Sequence, residues 1–512
     1  MNTITQNNKR LVKNTLMLYM RTIIVMIVTL YMSRLILDVL GVEDYGIYNV
    51  VGGAILMFHV LSGALSSAIS RFITFELGKG DKNRLKSVFS TSLIIQLSLS
   101  VFVLIVGESL GWWFLSGTLD IPIDRLAAAY WVMHCAILMF IFSLLIVPFN
   151  ACIVAHERMT AFAYISILDV FLKLIAVILL YYIPFDRLKL YACLLVITSL
   201  LVQLTYISYC YIHFEEVRGR MLFDMSILKK MSAFAGWNFL TNGAYVFNTQ
   251  GINILINVFF GVGANAARGI ASQVEGAVMK FVGDFTTAIN PQITKSYARG
   301  ELENVYSLVC RGAKFGFFLL LIISMPILME TETILSVWLN VVPDHTVIFV
   351  RLAIIATMID RLGITGYTAC MATGHIKNYV LCISAVGCLV FPLTWLSYEV
   401  GMPVESAYVV FAFVYVLVTF VRLYIMKGLL NFPVMRFVRE VFLKILIVAS
   451  VAIVVPMLVV GFVTSSLYRF VFSTIICLAS SMLTIYYLGL TTKEKQFIGG
   501  YISKVVHKFH RV

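Results

Sequence analysis

The sequence predicts an all-α polytopic membrane protein with about fourteen transmembrane helices. Hydrophobic residues make up 60% of the 512 residues, and the mean hydropathy is +0.93. Apolar runs of about 18 residues or more, the length needed to cross a bilayer, recur along the whole chain. Lys and Arg residues collect in loops on one side of these runs. These observations exclude a soluble multidomain protein and indicate two six-helix bundles followed by two further helices.

The predicted spans follow one another with short connections. They cover roughly residues 14–38, 47–73, 88–108, 126–154, 160–182, 188–212, 233–259, 268–293, 306–328, 346–371, 378–398, 405–426, 441–463 and 467–489. At a rise of about 1.5 Å per residue, each is long enough to cross a hydrocarbon core of roughly 30 Å.

Charge in the connecting loops predicts the orientation of the chain. With the N-terminus in the cytoplasm, most Lys and Arg residues fall in cytoplasmic segments, such as 79–86 (KGDKNRLK) and the tail after Thr491. The opposite side holds Arg125, Arg187, Lys189, Arg268 and Arg469. This asymmetry follows the positive-inside rule, so both termini are expected to be cytoplasmic.

An internal repeat divides the twelve N-terminal spans into two halves. The segment 40–53 (LGVEDYGIYNVVGG) resembles 260–273 (FGVGANAARGIASQ). The same offset in numbering aligns 79–81 (KGD) with 299–301 (RGE). A further match, at nearly the same offset, pairs Ala151-Cys152 with Ala369-Cys370. Six spans per half keep the same orientation, so the repeat is predicted to be parallel, with its axis along the membrane normal.

This repeat defines the predicted domain organisation. It comprises an N-terminal six-helix bundle (1–212), a cytoplasmic linker (213–232), a C-terminal six-helix bundle (233–427), two additional transmembrane helices (428–490) and a cytoplasmic amphipathic tail (491–512). The tail places apolar residues opposite Lys and Arg residues, as in helices that lie on an anionic leaflet.

A basic N-terminus, two six-span bundles and the glycine-containing turn 40–46 (LGVEDYG) after the first span carry a resemblance to a known superfamily. The chain resembles the multidrug/oligosaccharidyl-lipid/polysaccharide flippases, and within them the Wzx-type O-antigen and capsule repeat-unit flippases. The resemblance implies a transporter, not an enzyme, in the bacterial inner membrane. It would move an undecaprenyl-diphosphate-linked repeat unit from the cytoplasmic to the periplasmic leaflet by alternating access.

The resemblance also implies the partners of the chain. They are the lipid-linked oligosaccharide, membrane lipids, and the polysaccharide polymerase and chain-length machinery. No cofactor, metal or nucleic acid is expected, since no metal-ligand spacing occurs and the positive charge is explained by topology.

Cations within the predicted spans are the candidate ligands of the diphosphate, because a charge in hydrocarbon is costly and usually marks function. They are Arg21, Arg34, Lys280 and Arg361. In the family, cationic residues of a central cavity are thought to meet the diphosphate. The alternative for Arg21 and Arg34 is snorkelling to a membrane face. The alternative for Lys280 is a structural pair with Asp284, four residues further along the same helix face.

Carboxylates within the spans are the candidates for ion pairing or for coupling to an ion. They are Asp169, Glu275, Asp284 and Asp360. Asp169 lies four residues before Lys173, so the two can pair on one face of span 5. Burial of such a carboxylate would shift its pKa and make it a plausible protonation site.

Span 7 is rich in amides, which are not expected to face lipid. The candidates for contact with sugar hydroxyls in a wet cavity are Asn238, Asn242, Asn253 and Asn257. The alternative is hydrogen bonding between helices, which is common in membrane bundles.

Three other functions compete with a flippase. One is a channel, and against it the two-fold repeat with buried ion pairs favours alternating access over a constant pore. A cation-coupled multidrug exporter of the same superfamily should present carboxylates to cationic drugs, whereas span 1 carries two arginines and no mid-span acid. A membrane glycosyltransferase or polymerase usually needs a large extramembrane loop or a metal-binding carboxylate pair, and the sequence has neither.

Overall fold

The structure is a computed structural model. It describes residues 14–29, 31–32, 35–36, 38–41, 44, 47–48, 59–117, 123–218, 222–339, 342–460, 466–492 and 494–496. These residues are almost entirely helical and include no β-strand, which confirms the predicted all-α class. Nine helices in this part of the chain are long and apolar enough to cross a membrane.

The described residues of the first half of the chain include six helices of sixteen residues or more. They are α1 (Asn14–Thr29), α2 (His59–Lys79), α3 (Lys82–Gly117), α4 (Leu126–Ala155), α5 (Met159–Leu179) and α6 (Arg187–His213). Their order and positions follow the first six predicted spans. Asp186 begins α6 by accepting hydrogen bonds from the backbone N–H groups of Leu188 and Lys189, which would otherwise lack partners at a helix start.

One unusually long helix, α7 (Met225–Ala298), contains both the seventh and eighth predicted spans. Asp224 caps its start through the backbone N–H groups of Ser226 and Ile227. The helix bends at Gly261, where φ is 80° and ψ is −173°. Only glycine adopts this conformation without strain, so a short bend replaces the loop that the sequence predicts between the two spans.

The rest of the chain forms shorter and more broken helices. They are α8 (Leu302–Met329), α9 (Thr331–Trp338), α10 (Thr346–Arg361), α11 (Ile364–Thr373), α12 (Lys377–Gly387), α13 (Val390–Glu399), α14 (Ser406–Leu430), α15 (Val434–Phe437), α16 (Leu443–Val460) and α17 (Ser466–Thr484). A π-helical turn precedes α16, and another follows α17.

The chain divides into two compact units. Unit 1 contains residues 1–243, 287–305 and 371–380, and unit 2 contains residues 244–286, 306–370 and 381–512. In unit 1, α4 packs against α2, α3 and α6 around a buried core. Phe89 of α3 and Phe149 of α4 meet edge to face in this core, with ring centroids 5.4 Å apart. In unit 2, α14 packs against α10 and α13.

The backbone carries the same repeat as the sequence. Six of the nine described residues with positive φ form pairs, which are Gly41 and Gly261, Gly80 and Gly300, and Glu157 and Gly374. The first two pairs have the same separation along the chain, and that of the third is only slightly shorter. A left-handed residue ends a helix or sharpens a turn, so the two halves change direction at equivalent points. The backbone conformation thus supports the repeat even though most paired positions of the two halves hold different residues.

Candidate functional site

Unit 1 holds a polar cluster on α1, α5 and α6. Arg21 lies over the ring of Phe162, with its guanidinium carbon 4.9 Å from the ring centroid, which is a cation–π contact. Lys173 donates to Asp169 over 2.9 Å, so the predicted pair on α5 is present. Both side chains remain about one-third exposed. Buried Tyr206 of α6 interacts electrostatically with both Arg21 and Asp169, which joins these groups into one cluster.

Unit 2 holds a second polar cluster, on α7, α10 and α14. Glu275 accepts a hydrogen bond from the Thr357 hydroxyl over 2.7 Å and interacts electrostatically with Arg268. Arg268 is 8% exposed, and its guanidinium carbon lies 5.7 Å from the ring centroid of Tyr408. Arg268 and Glu275 are separated by about two helical turns, so they share one face of α7. The cluster therefore sets a cation and a carboxylate beside each other at depth.

Asp360 and Arg361 extend this second cluster along α10. Their side chains pair over 3.2 Å, although the residues are adjacent, and both also interact with Glu275. Thr357 lies one helical turn before Arg361, on the face that approaches α7. The Arg361 side chain is 22% exposed, so a ligand can reach it more easily than it can reach Arg268.

The structure does not place the remaining two predicted cations, Lys280 and Arg34, in either cluster. Lys280 is exposed on α7, while Asp284 on the same helix is 7% exposed. A lysine at this depth in a membrane should contact protein or water rather than lipid. Arg34 lies outside the described residues. The roles of Lys280 and Arg34 in binding stay predictions.

The predicted amide residues of α7 fall in different environments. Asn238 is 1% exposed and donates to the Ser67 hydroxyl over 3.4 Å within unit 1, so it bridges two helices. Asn242 is exposed. Asn253 is half-buried and donates to Gln250 over 3.1 Å. The side chain of Asn257 lies outside the described part of the chain. Contact with sugars therefore stays a prediction for these residues.

A third group lies at the Lys- and Arg-rich end of unit 1, which we call the basic end. It is built on the turn His156–Arg158 between α4 and α5, where Glu157 has a left-handed φ of 58°. The Glu157 carboxylate accepts from Lys295 over 2.8 Å and from Gln292 over 3.4 Å. Asn14 donates to its backbone carbonyl over 3.2 Å. One turn thus binds residues from both sequence repeats.

The equivalent turn of the second repeat makes the reciprocal contact. Arg71 of α2 donates to the backbone carbonyl of Ala372 over 2.7 Å, beside the left-handed Gly374. Its guanidinium lies within 5.6 Å of three aromatic rings, those of Phe72, Phe75 and Phe234. In each repeat, the turn therefore contacts a helix of the other repeat: Glu157 contacts α7, and Ala372 contacts α2.

The helix ends between these two turns are closely packed. A Cβ atom on Gly78 would lie 2.9 Å from both Lys295 Cα and Ala298 Cβ, so no larger residue fits there. Arg299 donates to the Gly78 carbonyl over 3.4 Å. In contrast, Lys82 and Glu215 form a pair at the same end with side chains 74% and 69% exposed.

The sequence patterns do not single out Glu157, Arg71 or Arg422, and they predict Arg268 in an outer loop. Arg422 of α14 is 8% exposed and fills the space beside Gly363, where α10 gives way to α11. Among the described residues, no three His, Cys, Asp or Glu side chains come together as a metal site.

Comparison with known proteins identifies the class of fold. The chain aligns with a MATE structure solved in complex with MaD3S at a TM-score of 0.71 and 12% identity, over 83% of this chain and 96% of that one. It also aligns with an outward-facing multidrug resistance MATE family transporter of the MOP superfamily at a TM-score of 0.69 and 13% identity, over 82% and 96%. The fold is therefore the MATE-like polytopic membrane fold.

Similarity to curated sequences is more limited. The chain is 20% identical to the uncharacterized membrane protein EpsK of Bacillus subtilis (strain 168) over 301 residues. The aligned region covers 57% of this chain. The chain matches 58% of the length of that relative. No family model matches the sequence.

Proposed function

We propose that the protein is a flippase for lipid-linked oligosaccharides, which moves an undecaprenyl-diphosphate-linked repeat unit from the cytoplasmic to the periplasmic leaflet. The MATE-like fold supports a transporter, and the positive charge within its membrane segments supports an anionic substrate. The observation that carries the proposal is the pair of arginines, Arg268 and Arg361, around the half-buried Glu275. Guanidinium groups match the geometry and charge of a diphosphate.

The clusters suggest how binding and coupling are divided. Arg21 in unit 1 and Arg361 in unit 2 are more accessible than the buried Arg268, so each is a candidate for direct contact with the diphosphate. Arg268 is buried between Glu275 and Tyr408 and would hold the cluster in place. Asp169 and Glu275 are the carboxylates that we propose for coupling to an ion, because each interacts with a basic side chain, Lys173 or Arg268.

The proposed cellular setting follows from the same function. The protein would lie in the bacterial inner membrane with both termini in the cytoplasm, where its basic loops satisfy the positive-inside rule. Its O-antigen or capsule product would pass to the polysaccharide polymerase and chain-length machinery. No cofactor is needed for such a transport cycle.

A multidrug exporter is the second candidate. One solved protein of similar fold is a multidrug resistance MATE family transporter. In this chain, Asp169 and Asp360 have side-chain exposures of 28% and 21%. Partly exposed carboxylates can balance the charge of a cationic drug. In this chain each of them already has a basic partner, Lys173 or Arg361, which favours an anionic ligand instead.

Complementation of a bacterial strain that lacks its own flippase tests the proposal. Arg21→Glu and Arg361→Glu should each reduce surface polysaccharide about tenfold or more, since a charge-assisted contact becomes a repulsion. Lipid-linked oligosaccharide should accumulate on the cytoplasmic side at a normal protein level. Arg361→Lys should retain most of the activity, and Lys229→Glu, at an exposed site on α7, is the matched control.

Two outcomes would contradict the flippase proposal. Full surface polysaccharide in the Arg361→Glu variant would remove the cationic cluster from the mechanism. Drug resistance that depends on Asp169 and Asp360, with no change in polysaccharide, would favour the multidrug exporter.

A further inference from the structure

The Glu157–Lys295 pair at the basic end has features that a purely structural contact does not need. Its side chains are 7% and 16% exposed, so both charges are largely removed from water. Glu157 also holds a left-handed φ of 58°, a conformation that is costly for a residue with a side chain. The corresponding turn of the second repeat contains Gly374, which adopts the same conformation without that cost. The chain therefore accepts strain to place a carboxylate there.

The pair joins segments that the repeat relates. Glu157 belongs to the first repeat, and Lys295 belongs to the end of α7 in the second. In a transporter that works by alternating access, the two repeats must separate at one membrane face during the cycle. Separation at the basic end would leave Lys295 without Glu157. A largely buried cation that loses its partner is strongly unfavourable, so a replacement anion would lower the barrier to opening.

The basic end is also where an anion would collect. The turns that connect α2 to α3 and α7 to α8, together with the adjoining helix ends, carry several cations around Gly78 and Ala298. They are Lys79, Arg84, Lys295 and Arg299. Such a cluster raises the local concentration of anions and steers them to the surface. A diphosphate carries more negative charge than a carboxylate and can compete with Glu157 for the Lys295 ammonium group.

We propose that Glu157 and Lys295 form a latch between the two repeats, and that the diphosphate of the substrate opens this latch by replacing Glu157 as the partner of Lys295. The inference rests on the proposed function, because it assigns the ligand of the flippase to a site at the cytoplasmic entrance. When the basic end is open, Lys295 binds the diphosphate. When the basic end is closed, Lys295 pairs with Glu157 and holds the two repeats together. Glu157 acts as an internal mimic of the substrate anion.

Two variants distinguish a latch from a purely structural ion pair, because a structural pair predicts the same effect of both on anion binding. Glu157→Gln breaks the latch and keeps the cation, whereas Lys295→Gln breaks the latch and removes the cation. Binding of inorganic pyrophosphate to the purified full-length protein in nanodiscs is measured by calorimetry. Glu157→Gln should bind about tenfold more tightly than the parent protein, because the binding-competent population rises. Lys295→Gln should bind about tenfold more weakly.

A distance measurement reports the latch itself. Spin labels at Asp81 and Glu301, both exposed and on opposite repeats, are read by pulsed electron resonance. Pyrophosphate should add a longer distance in the parent protein, and Glu157→Gln should show that distance without ligand. The double exchange Glu157→Lys with Lys295→Glu should restore the short distance. Glu215→Gln, at the exposed pair, is the matched control and should change neither readout.

Equal effects of Glu157→Gln and Lys295→Gln on pyrophosphate binding would overturn the inference, as would an unchanged distance. If Glu157→Gln does not fold, Glu157→Asn replaces it, because asparagine tolerates the left-handed turn. Failure of complementation with an intact response to pyrophosphate would reject the proposed substrate and keep the latch. Normal complementation with no response to pyrophosphate would reject the latch and keep the flippase.

Discussion

The two repeat-related turns at the basic end have the same backbone conformation and opposite chemistry. In the first, Glu157 supplies a charged acceptor to Lys295. In the second, Gly374 supplies no side chain, and Arg71 donates instead to the neutral carbonyl of Ala372. Both turns receive a cation from a helix of the other repeat. The comparison shows that both repeats keep the same backbone geometry at this contact. Only the contact of Glu157 is an ion pair, and only an ion pair can be disrupted by a competing anion.

The largest effect should come from breaking the charged turn. Lys295→Glu removes the partner of the buried Glu157 and adds a like charge, so we expect a loss of about 3–5 kcal/mol in the free energy of unfolding. The measurement is thermal unfolding in detergent micelles, followed by tryptophan fluorescence. The double exchange with Glu157→Lys should recover most of the loss. An unchanged melting temperature in the single variant would show that the pair is not buried in solution.

A second variant makes the first turn resemble the second. Glu157→Gly removes the same ion pair but relieves the left-handed strain, which is about 1–2 kcal/mol. We therefore expect a net destabilisation of about 2 kcal/mol, smaller than that of Lys295→Glu. Thermal unfolding under the same conditions checks the order of the two. Equal melting temperatures would mean that Glu157 contributes no strain.

The second turn can be tested by adding a side chain. Gly374→Ala must place a Cβ at a φ of 78°, and that atom would lie 2.8 Å from Arg71 Nη2. We expect a loss of about 1–2 kcal/mol from backbone strain, together with displacement of the arginine. The control is Gly401→Ala, where φ is 82° and the added Cβ meets open space. If both variants lose the same stability, Arg71 does not depend on the glycine.

The smallest effect is expected at the exposed pair of Lys82 and Glu215. The hydrogen bond from Lys82 and its charge lower the pKa of Glu215 below 4.5. A lowered pKa in the folded state stabilises the protein above pH 4.5 and loses this contribution as the pH falls through the folded value. Water screens both groups, so Lys82→Gln should leave the melting temperature unchanged at pH 7. A clear shift in the melting temperature would mean that the exposed Lys82–Glu215 pair contributes to stability as the buried Lys295–Glu157 pair does.

Much of the fold could be predicted from the sequence, because length and hydropathy determine which segments can lie in a membrane. The repeat could also be predicted, since Gly41 and Gly261 and the turns at Gly80 and Gly300 keep one offset. The bend of α7 could not, because the sequence does not show that a single glycine replaces a loop between two spans.

Less of the candidate site could be predicted. The i,i+4 spacing of Asp169 and Lys173 was sufficient to predict their pairing, because both partners lie on one helix. The charge pattern predicts Arg268 in an outer loop, whereas the side chain is buried by contacts with other helices that spacing alone does not define. Glu157 was missed because nothing in a single sequence marks a glutamate that adopts a glycine-like conformation.

The contact at Gly78 has an evolutionary consequence. The alignment that pairs Gly80 with Gly300 also pairs Gly78 with Ala298, so these two are equivalent residues of the two repeats, and they touch. In the predicted parallel repeat, a residue that touches its own equivalent would lie close to the axis that relates the two halves. In a symmetric dimer, the same position would meet itself across an isologous interface. The closed basic end thus preserves the seam along which two half-length chains could have paired as a homodimer before their genes were fused.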